Sequence, residues 1–185
     1  MDFNRDKFKQ LVQYVCWRCD DPADLGSTKL NKVLWRSDTQ SYLWNQKPIT
    51  GASYVKRQFG PVPRVILPVL EELQAEGSLA IREVDYFGNA KREFFALRKP
   101  DLLAFTATEI SLVDQAIEHV CKRHTARSIS RETHDDIWEL AAIGEEIPYE
   151  TVLASRLGEV TEDDIEWARV QIDEVAVPLS AAGAQ

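Results

Sequence analysis

Four residues of metal-binding type occur in two short pairs, Cys16-x-x-Cys19 and Cys121-x-x-His124. Together they offer the number of sulfur and nitrogen ligands that a tetrahedral zinc site requires. The three cysteines, however, lie on the apolar faces of two predicted helices, where cysteine behaves as a small hydrophobic residue. Contact between two such faces would bring them together without a metal. We therefore predict no metal and no cofactor, and zinc bound by these four residues is the weaker interpretation.

The run His134-Asp135-Asp136 is a second set of chemistry-bearing residues, which with His119 and His124 could serve a metal-dependent hydrolase. Such a site needs a ligand from each of several helices, and the sequence shows only this short run. Asp135 and Asp136 are better explained as a helix start, because the positive end of the helix dipole favours carboxylates. No phosphate-binding, dinucleotide-binding, zinc-protease or nucleophile-elbow motif occurs, and no spacing indicates a catalytic triad. We therefore predict that the protein is not an enzyme.

Charge is unevenly distributed along the 185 residues. The formal net charge is −8, yet residues 1–100 contain sixteen Lys and Arg against twelve Asp and Glu, and residues 101–185 contain six against eighteen. An acidic second half repels phosphate, which disfavours extended contact with nucleic acid. The chain has no apolar run of membrane-spanning length, its start is too charged for a signal peptide, and its three cysteines suit a reducing compartment. We expect a cytoplasmic protein with no membrane partner.

Apolar residues at helical spacing predict most elements of the first half. Gly51 permits a turn with positive φ, whereas Pro61 and Pro63 push the residues before them towards extended conformations. The predicted segments are a helix over 5–19, a helix from 27 or 28 to 44, a turn over 45–51, a short helix over 52–58, an extended corner over 60–63 and a helix over about 65–76.

The apolar period changes to two from residue 79, which predicts a β-hairpin over 79–84 and 90–97 with its turn near Gly88-Asn89. Thr106 and Glu109 have the spacing of a capping box, so a further helix should run from there to about Arg123. The remaining predicted helices cover 128–133, 135–141, 149–157 and a last segment from 161 to about 178.

The order of these elements also suits a winged helix-turn-helix, in which a hairpin follows two or three helices. Local positive charge would come from Lys56, Arg57, Arg64, Arg82, Lys91 and Arg92. The predicted recognition helix nevertheless carries Glu71, Glu72 and Glu76, whose repulsion of phosphate opposes insertion into a groove. DNA is therefore a second, less favoured partner.

Several short motifs resemble those of one family. They are Lys29-Leu30-Asn31-Lys32-Val33-Leu34, Lys47-Pro48-Ile49-Thr50-Gly51, Ser53-Tyr54-Val55-Lys56 and Phe59-Gly60-Pro61-Val62-Pro63, followed by Thr108-Glu109, Thr133-His134, Trp138 and Glu146-Ile147-Pro148-Tyr149. Together they span about residues 8–153 and resemble the SocA-like antitoxin family, also called the Panacea domain. Pro68, within a helix that this family usually leaves uninterrupted, and the Cys16 and Cys19 pair depart from the pattern.

The resemblance implies a bacterial or phage antitoxin that neutralises a toxin encoded beside it by direct binding, without catalysis or an essential cofactor. At least one member is described as an adaptor that delivers its toxin to an ATP-dependent protease, so such a protease is a further implied partner. The alternative function is a winged-helix transcriptional regulator or autorepressor. The resemblance implies structural roles for the motif residues Pro48, Gly51, Gly60, Pro61, Pro63, His134, Pro148 and Tyr149.

We predict a mainly α-helical, winged-helix-like domain with one antiparallel β-hairpin between an N-terminal and a C-terminal helical part. It should span residues 1–157, followed by a helix over 158–178 and a flexible tail over 179–185. A toxin-binding surface needs exposed anchors inside a polar rim. The predicted anchors are aromatic residues near the proline corner: Trp35, Tyr42, Trp44, Tyr54 and Phe59. The sequence indicates no particular oligomeric state.

Overall fold

The computed structural model describes residues 2–19, 21–132 and 141–154. Its elements are, in chain order, α1 (Arg5–Arg18), α2 (Pro22–Asn45), β1 (Tyr54–Arg57), β2 (Gly60–Pro63), α3 (Ile66–Ala75), β3 (Leu79–Tyr86), β4 (Asn89–Ala96), α4 (Ala107–Ile117), a π-helical turn (Glu118–Lys122), α5 (Ala126–Glu132), β5 (Glu146–Ile147) and α6 (Thr151–Ala154). The predicted fold class is confirmed, because the domain is mostly helical and contains the hairpin β3–β4. The predicted helix over 161–178, the tail over 179–185 and nearly all of the helix over 135–141 lie outside the described residues.

The first two helices begin at polar caps. Asn4 caps α1, since its side chain accepts a hydrogen bond from the backbone N–H of Lys7 at 2.9 Å. Helix α2 starts earlier than predicted, because Asp21 caps a helical turn that begins at Pro22. Gly26 then breaks the helical path with φ +59° and ψ 160°, so the long helix resumes after it, where it was predicted to begin.

The short helix predicted over residues 52–58 is wrong. Residues 54–57 form β1, which lies between β2 and β5 in an antiparallel sheet, with Tyr54 opposite both Pro63 and Ile147. Pro61 and Pro63 are extended as predicted, and they are tolerated because β2 is an edge strand of this sheet. The described residues therefore contain a second hairpin, β1–β2, where one hairpin was predicted.

The segment from α3 to β4 matches the prediction closely. Pro68 lies in the first turn of α3, where a missing N–H leaves no helical hydrogen bond unmade, and Gly77 ends the helix with φ +65°. The hairpin turn is Phe87-Gly88, one residue earlier than predicted, and both residues have positive φ, as a type I′ turn requires.

Helix α4 begins at the predicted capping box. The Thr106 N–H donates to Glu109 Oε2 at 2.8 Å, and the Glu109 N–H donates to Thr106 Oγ1 at 3.2 Å. The helix continues into the π-helical turn, which ends at Lys122 close to the predicted boundary. The core collects around α2, which contacts α1, α4, α5, β2 and β4. Among residues 2–19, 21–132 and 141–154, no helix has both the length and the apolar character needed to cross a membrane.

Candidate partner-binding site

A surface pocket of about 230 Å³ lies between α2, the hairpin β1–β2, the start of α3 and β4. Each of these elements contributes to its wall, so the pocket depends on the sheet that local sequence patterns did not predict. The lining residues are Ser27, Leu30, Asn31, Val55, Arg57, Val62, Pro63, Arg64, Ile66, Leu67, Leu70, Arg92, Phe94 and Gly144.

Apolar side chains form the floor of this pocket. Leu30, Ile66 and Phe94 are buried members of the core, so the floor is fixed by packing and does not depend on a ligand. Leu67 lies at the lip and is 56% exposed. An apolar cavity of about 150 Å³ in a protein core is large enough to bind benzene. This pocket therefore has room for one large aliphatic or aromatic side chain from a partner.

Three arginines, Arg57, Arg64 and Arg92, stand around the apolar floor. Arg64 Nη2 lies 3.8 Å from Glu146 Oε2, a long and exposed ion pair. Within the part of the chain that the structure describes, Arg57 and Arg92 form no ion pair, and the pocket lining contains no carboxylate. A guanidinium presents a planar fork of donors that matches a carboxylate, so this rim complements negative charge.

Asn31 gives the pocket wall a polar atom whose hydrogen-bonding capacity is unused. Its Oδ1 is buried and accepts no hydrogen bond from the described residues. Most buried polar atoms in folded proteins have a partner, and an unpaired one is costly. A ligand that brings an N–H group to this atom would remove that cost.

A buried carboxylate, Asp38, connects the elements behind the pocket. It accepts hydrogen bonds from the Thr50 N–H at 2.8 Å, the Thr50 hydroxyl at 2.7 Å and the Tyr54 hydroxyl at 2.8 Å, and the Tyr149 hydroxyl lies 3.4 Å from it. Burial raises the pKa of Asp38, and the hydrogen bonds from Thr50 and Tyr54 partly oppose this rise. The network joins α2 to the turn before β1, to β1 itself and to the segment after β5.

Aromatic rings pack around this carboxylate. The ring centroids of Trp35 and Tyr54 are 4.9 Å apart at 67°, and those of Tyr42 and Tyr149 are 5.8 Å apart at 30°. The prediction that Trp35, Tyr42 and Tyr54 are exposed anchors is therefore wrong, since all three are buried and Tyr54 is only 1% exposed. The tyrosine hydroxyl groups and the ring faces of all three residues stabilise the domain interior, because polar tips of buried aromatic residues need partners.

The other two predicted anchors, Trp44 and Phe59, are on the surface, 73% and 57% exposed. Phe59 lies in the turn between β1 and β2, the strands that supply Arg57 and Val62 to the pocket. The Ser130 hydroxyl donates to the Phe59 carbonyl at 3.1 Å, which attaches this turn to α5. Trp44 lies near the end of α2, and neither aromatic side chain lines the pocket. Their role in binding stays a prediction.

The remaining motif residues have backbone positions that their chemistry explains. Gly51 has φ +72°, and a Cβ at this position would lie 2.7 Å from the Asp2 carbonyl oxygen, so only glycine fits. Gly60 has φ +112° at the start of β2. Pro48 is buried in the turn, and Pro148 precedes Tyr149, whose hydroxyl donates to the Ala52 carbonyl at 2.6 Å. His134 lies outside the described residues.

The zinc site considered for Cys16, Cys19, Cys121 and His124 is not assembled. The three cysteines are buried, and Cys19 Sγ lies 3.8 Å from the Asp21 carbonyl oxygen. Burial raises the pKa of Cys16, which disfavours the thiolate that metals bind. His124 faces His119 and Glu132 instead, and among the described residues these three are the His, Cys, Asp and Glu side chains close enough to share an ion.

The surface of α3 does not suit DNA. Glu71 is exposed, and Glu72 and Glu76 form ion pairs with Arg5 and Lys9 of α1. The helix predicted to precede α3 in a helix-turn-helix is β1. A groove-inserting helix needs donors for phosphates and base edges, and this face presents carboxylates.

Sequence reasoning identified the arginines, although as DNA contacts, and missed Asn31 and Asp38. Asp38 lies within a helical pattern between Ser37 and Thr39, so it read as part of an ordinary polar helix segment. The feature of the sequence that could have indicated its role is Thr50 in the Thr50-Gly51 turn, because a threonine hydroxyl can donate a hydrogen bond to a buried carboxylate. That pairing emerges only once β1 is placed.

The protein is a mostly helical domain with a concave apolar surface and a basic rim. A comparison with protein families found that the model for Antitoxin SocA-like, Panacea domain matches residues 30–139, which is more than half of the chain. The chain belongs to the SocA-like antitoxin family, so the predicted family is confirmed. Comparison with curated proteins and with solved structures found no match. Apart from Ser27 and Gly144, the pocket lining falls within the matched range.

Proposed function

We propose that this chain is an antitoxin that neutralises a cognate toxin by direct, non-covalent binding at the arginine-rimmed pocket. Family membership supports the antitoxin role. The observation that carries the proposed site is an apolar floor surrounded by Arg57, Arg64 and Arg92, with no carboxylate among the described residues that line it. Such a surface rests on packed core residues, so it is formed before the partner arrives and loses little conformational entropy on binding.

The pocket chemistry favours one kind of toxin segment. An aliphatic or aromatic side chain would occupy the cavity, and a carboxylate beside it, from Asp, Glu or a chain terminus, would pair with the guanidinium groups. An N–H from the same segment would satisfy Asn31 Oδ1. Arginine beside a desolvated apolar pocket is also the kind of residue that carries a large share of interface energy.

Exposed apolar residues extend this surface beyond the cavity. Leu67 lies at the lip, and Phe59 lies at the tip of the hairpin that forms one wall. A preformed pocket surrounded by a few exposed apolar residues and a charged rim has the anatomy of a transient protein interface. We expect Phe59 to contact the toxin outside the pocket.

Expression of the adjacent open reading frame, alone and together with this chain, tests the function. We expect the neighbouring product to stop growth alone and to be harmless when the wild-type chain is present. The double variant R57E/R92E should fail to protect, whereas Arg131→Glu, an exposed arginine that does not line the pocket, should protect fully. A neighbour that is harmless alone, or lethal in both cases, contradicts the proposed function.

The same strains distinguish occlusion from delivery to an ATP-dependent protease. Under the proposed mechanism the toxin persists at its normal level in protected cells, bound to this chain. Loss of the toxin that depends on an ATP-dependent protease would show an adaptor instead. A gel shift on the upstream DNA at low salt, where electrostatic binding is strongest, should show no complex.

A further inference from the structure

A cluster of two imidazoles and one carboxylate lies apart from the arginine-rimmed pocket. His119 Nε2 is 2.7 Å from Glu132 Oε1, and His124 Nε2 is 3.2 Å from Glu132 Oε2. One ligand atom from each of the three residues lies within 4.8 Å of the others. The two histidine side chains are 25% and 23% exposed, so the cluster is partly shielded and still open to solvent. None of these residues lines the pocket proposed for the toxin.

Local backbone structure accounts for the position of the histidines. They are five residues apart, and His119 lies in the π-helical turn Glu118–Lys122. His124 follows two residues after this turn ends, in the link to α5, and both imidazoles reach Glu132 of α5. Single π-helical turns of this kind occur frequently at functional sites. The rings of His119 and His124 are 4.7 Å apart between centroids.

Neighbouring polar groups orient the three ligands. Ser128 Oγ lies 3.2 Å from His124 Nδ1, which leaves Nε2 of that ring directed at Glu132. Ser128 is itself held in the first turn of α5 by exchange of hydrogen bonds with Thr125. Arg36 Nη1 lies 3.4 Å from Glu132 Oε1 and steadies the carboxylate from α2. Groups that hold the second nitrogen of a histidine and the oxygens of a carboxylate are typical supports of metal ligands.

We propose that His119, His124 and Glu132 form a binding site for a divalent transition-metal ion. Two imidazoles and one carboxylate suit Zn²⁺ and its neighbours, and they leave at least one coordination position for water or for a group from a partner. Zn–N and Zn–O bonds of about 2.0 to 2.2 Å place adjacent ligand atoms roughly 3.3 Å apart. The separation of 3.2 Å between His124 Nε2 and Glu132 Oε2 is close to this value. His119 Nε2 lies 2.7 Å from the other carboxylate oxygen, Oε1, so binding one ion requires the carboxylate to rotate or to use both of its oxygens. The bound ion would connect the π-helical turn to α5.

Titration of untagged, chelator-treated full-length protein with Zn²⁺ by calorimetry tests the proposal. We expect one equivalent to bind, and His119→Ala or His124→Ala to weaken binding by about 100-fold or more, since changes in supporting residues alone weaken metal sites by 10- to 100-fold. Glu132→Gln, which keeps the side-chain shape, should also weaken it. The matched control is Glu118→Gln, an exposed carboxylate of the same π-helical turn, which should bind zinc as the wild type does. Circular dichroism of each metal-free variant checks that it is folded.

The Co²⁺ absorption spectrum separates this site from one built on the buried cysteines. Nitrogen and oxygen ligands give no thiolate-to-cobalt charge-transfer band, so the spectrum should lack it. The proposal is overturned if zinc does not bind, if folded His119→Ala and His124→Ala variants bind it normally, or if the thiolate band is present. Each of these outcomes leaves toxin binding at the arginine-rimmed pocket untouched, because the two sites share no residue.

Discussion

Asp38 is a carboxylate in the interior of the domain, and its titration should make the free energy of unfolding depend on pH. Burial raises its pKa above the ordinary value of 3.8, so the folded state keeps this proton to higher pH than the unfolded chain does. Its contribution to stability is therefore fully present below pH 3.8 and is lost as the pH rises through the pKa of the folded state. Urea unfolding between about pH 4 and pH 7 should show the free energy of the wild type falling relative to that of Asp38→Asn, which does not titrate. A difference that is constant, or that moves in favour of the wild type, contradicts this account.

Gly51 offers a second test at the scale of one residue. Gly51 and Gly88 both have left-handed φ, +72° and +77°, but a Cβ at residue 51 would lie 2.7 Å from the Asp2 carbonyl oxygen, whereas residue 88 has open space. Positive φ alone costs a non-glycine residue about 1 to 3 kcal/mol. Gly51→Ala should therefore lower the free energy of unfolding by about 1 kcal/mol more than Gly88→Ala, because forced overpacking adds its own cost. If urea unfolding shows the same fall in free energy of unfolding for both variants, the contact with Asp2 does not contribute to the cost.

The helices and the hairpin β3–β4 were predictable because their signals are local. Apolar spacing, the Asn4 cap and the capping box at Thr106 each act within a few residues. Strand β1 was not predictable in this way, since its neighbour β5 lies about ninety residues further along the chain and only their pairing makes residues 54–57 a strand. The pocket could not be predicted from local patterns for the same reason, because β1 and β2 supply one of its walls. Its arginines are evident in the sequence, yet their convergence is a property of the sheet.

Strand β5 should accordingly contribute more to the stability of the domain than its length of two residues suggests. It pairs with β1, and Tyr149, just after it, donates to the Ala52 carbonyl at 2.6 Å. We expect a chain truncated after residue 157 to unfold cooperatively with a stability close to that of the full chain, in keeping with the proposed domain over 1–157. Truncation after residue 144 removes both contacts and should lower the midpoint of thermal unfolding strongly. Equal midpoints for the two truncated chains would contradict the role of β5.

The net charge of the whole molecule affects the approach of a partner. The net charge of −8 would steer away an acidic toxin at long range, whereas Arg57, Arg64 and Arg92 attract a carboxylate locally. We therefore expect the toxin to carry an acidic and apolar segment on a surface that is elsewhere neutral or basic. The two proposed sites differ in chemistry, since the arginine-rimmed pocket would bind by apolar burial and ion pairing, whereas the His119–His124–Glu132 cluster would bind by coordination.

Affinity of the purified toxin for variants of this chain, measured by calorimetry, is the decisive test of the arginine-rimmed pocket as the toxin-binding surface. We expect R57E/R92E to weaken binding by about tenfold or more, because each 1.4 kcal/mol of lost interface energy is a factor of ten. Arg131→Glu should bind with unchanged affinity, since that arginine does not line the pocket. Wild-type affinity in a folded R57E/R92E variant would contradict the assignment of the pocket as the toxin-binding surface.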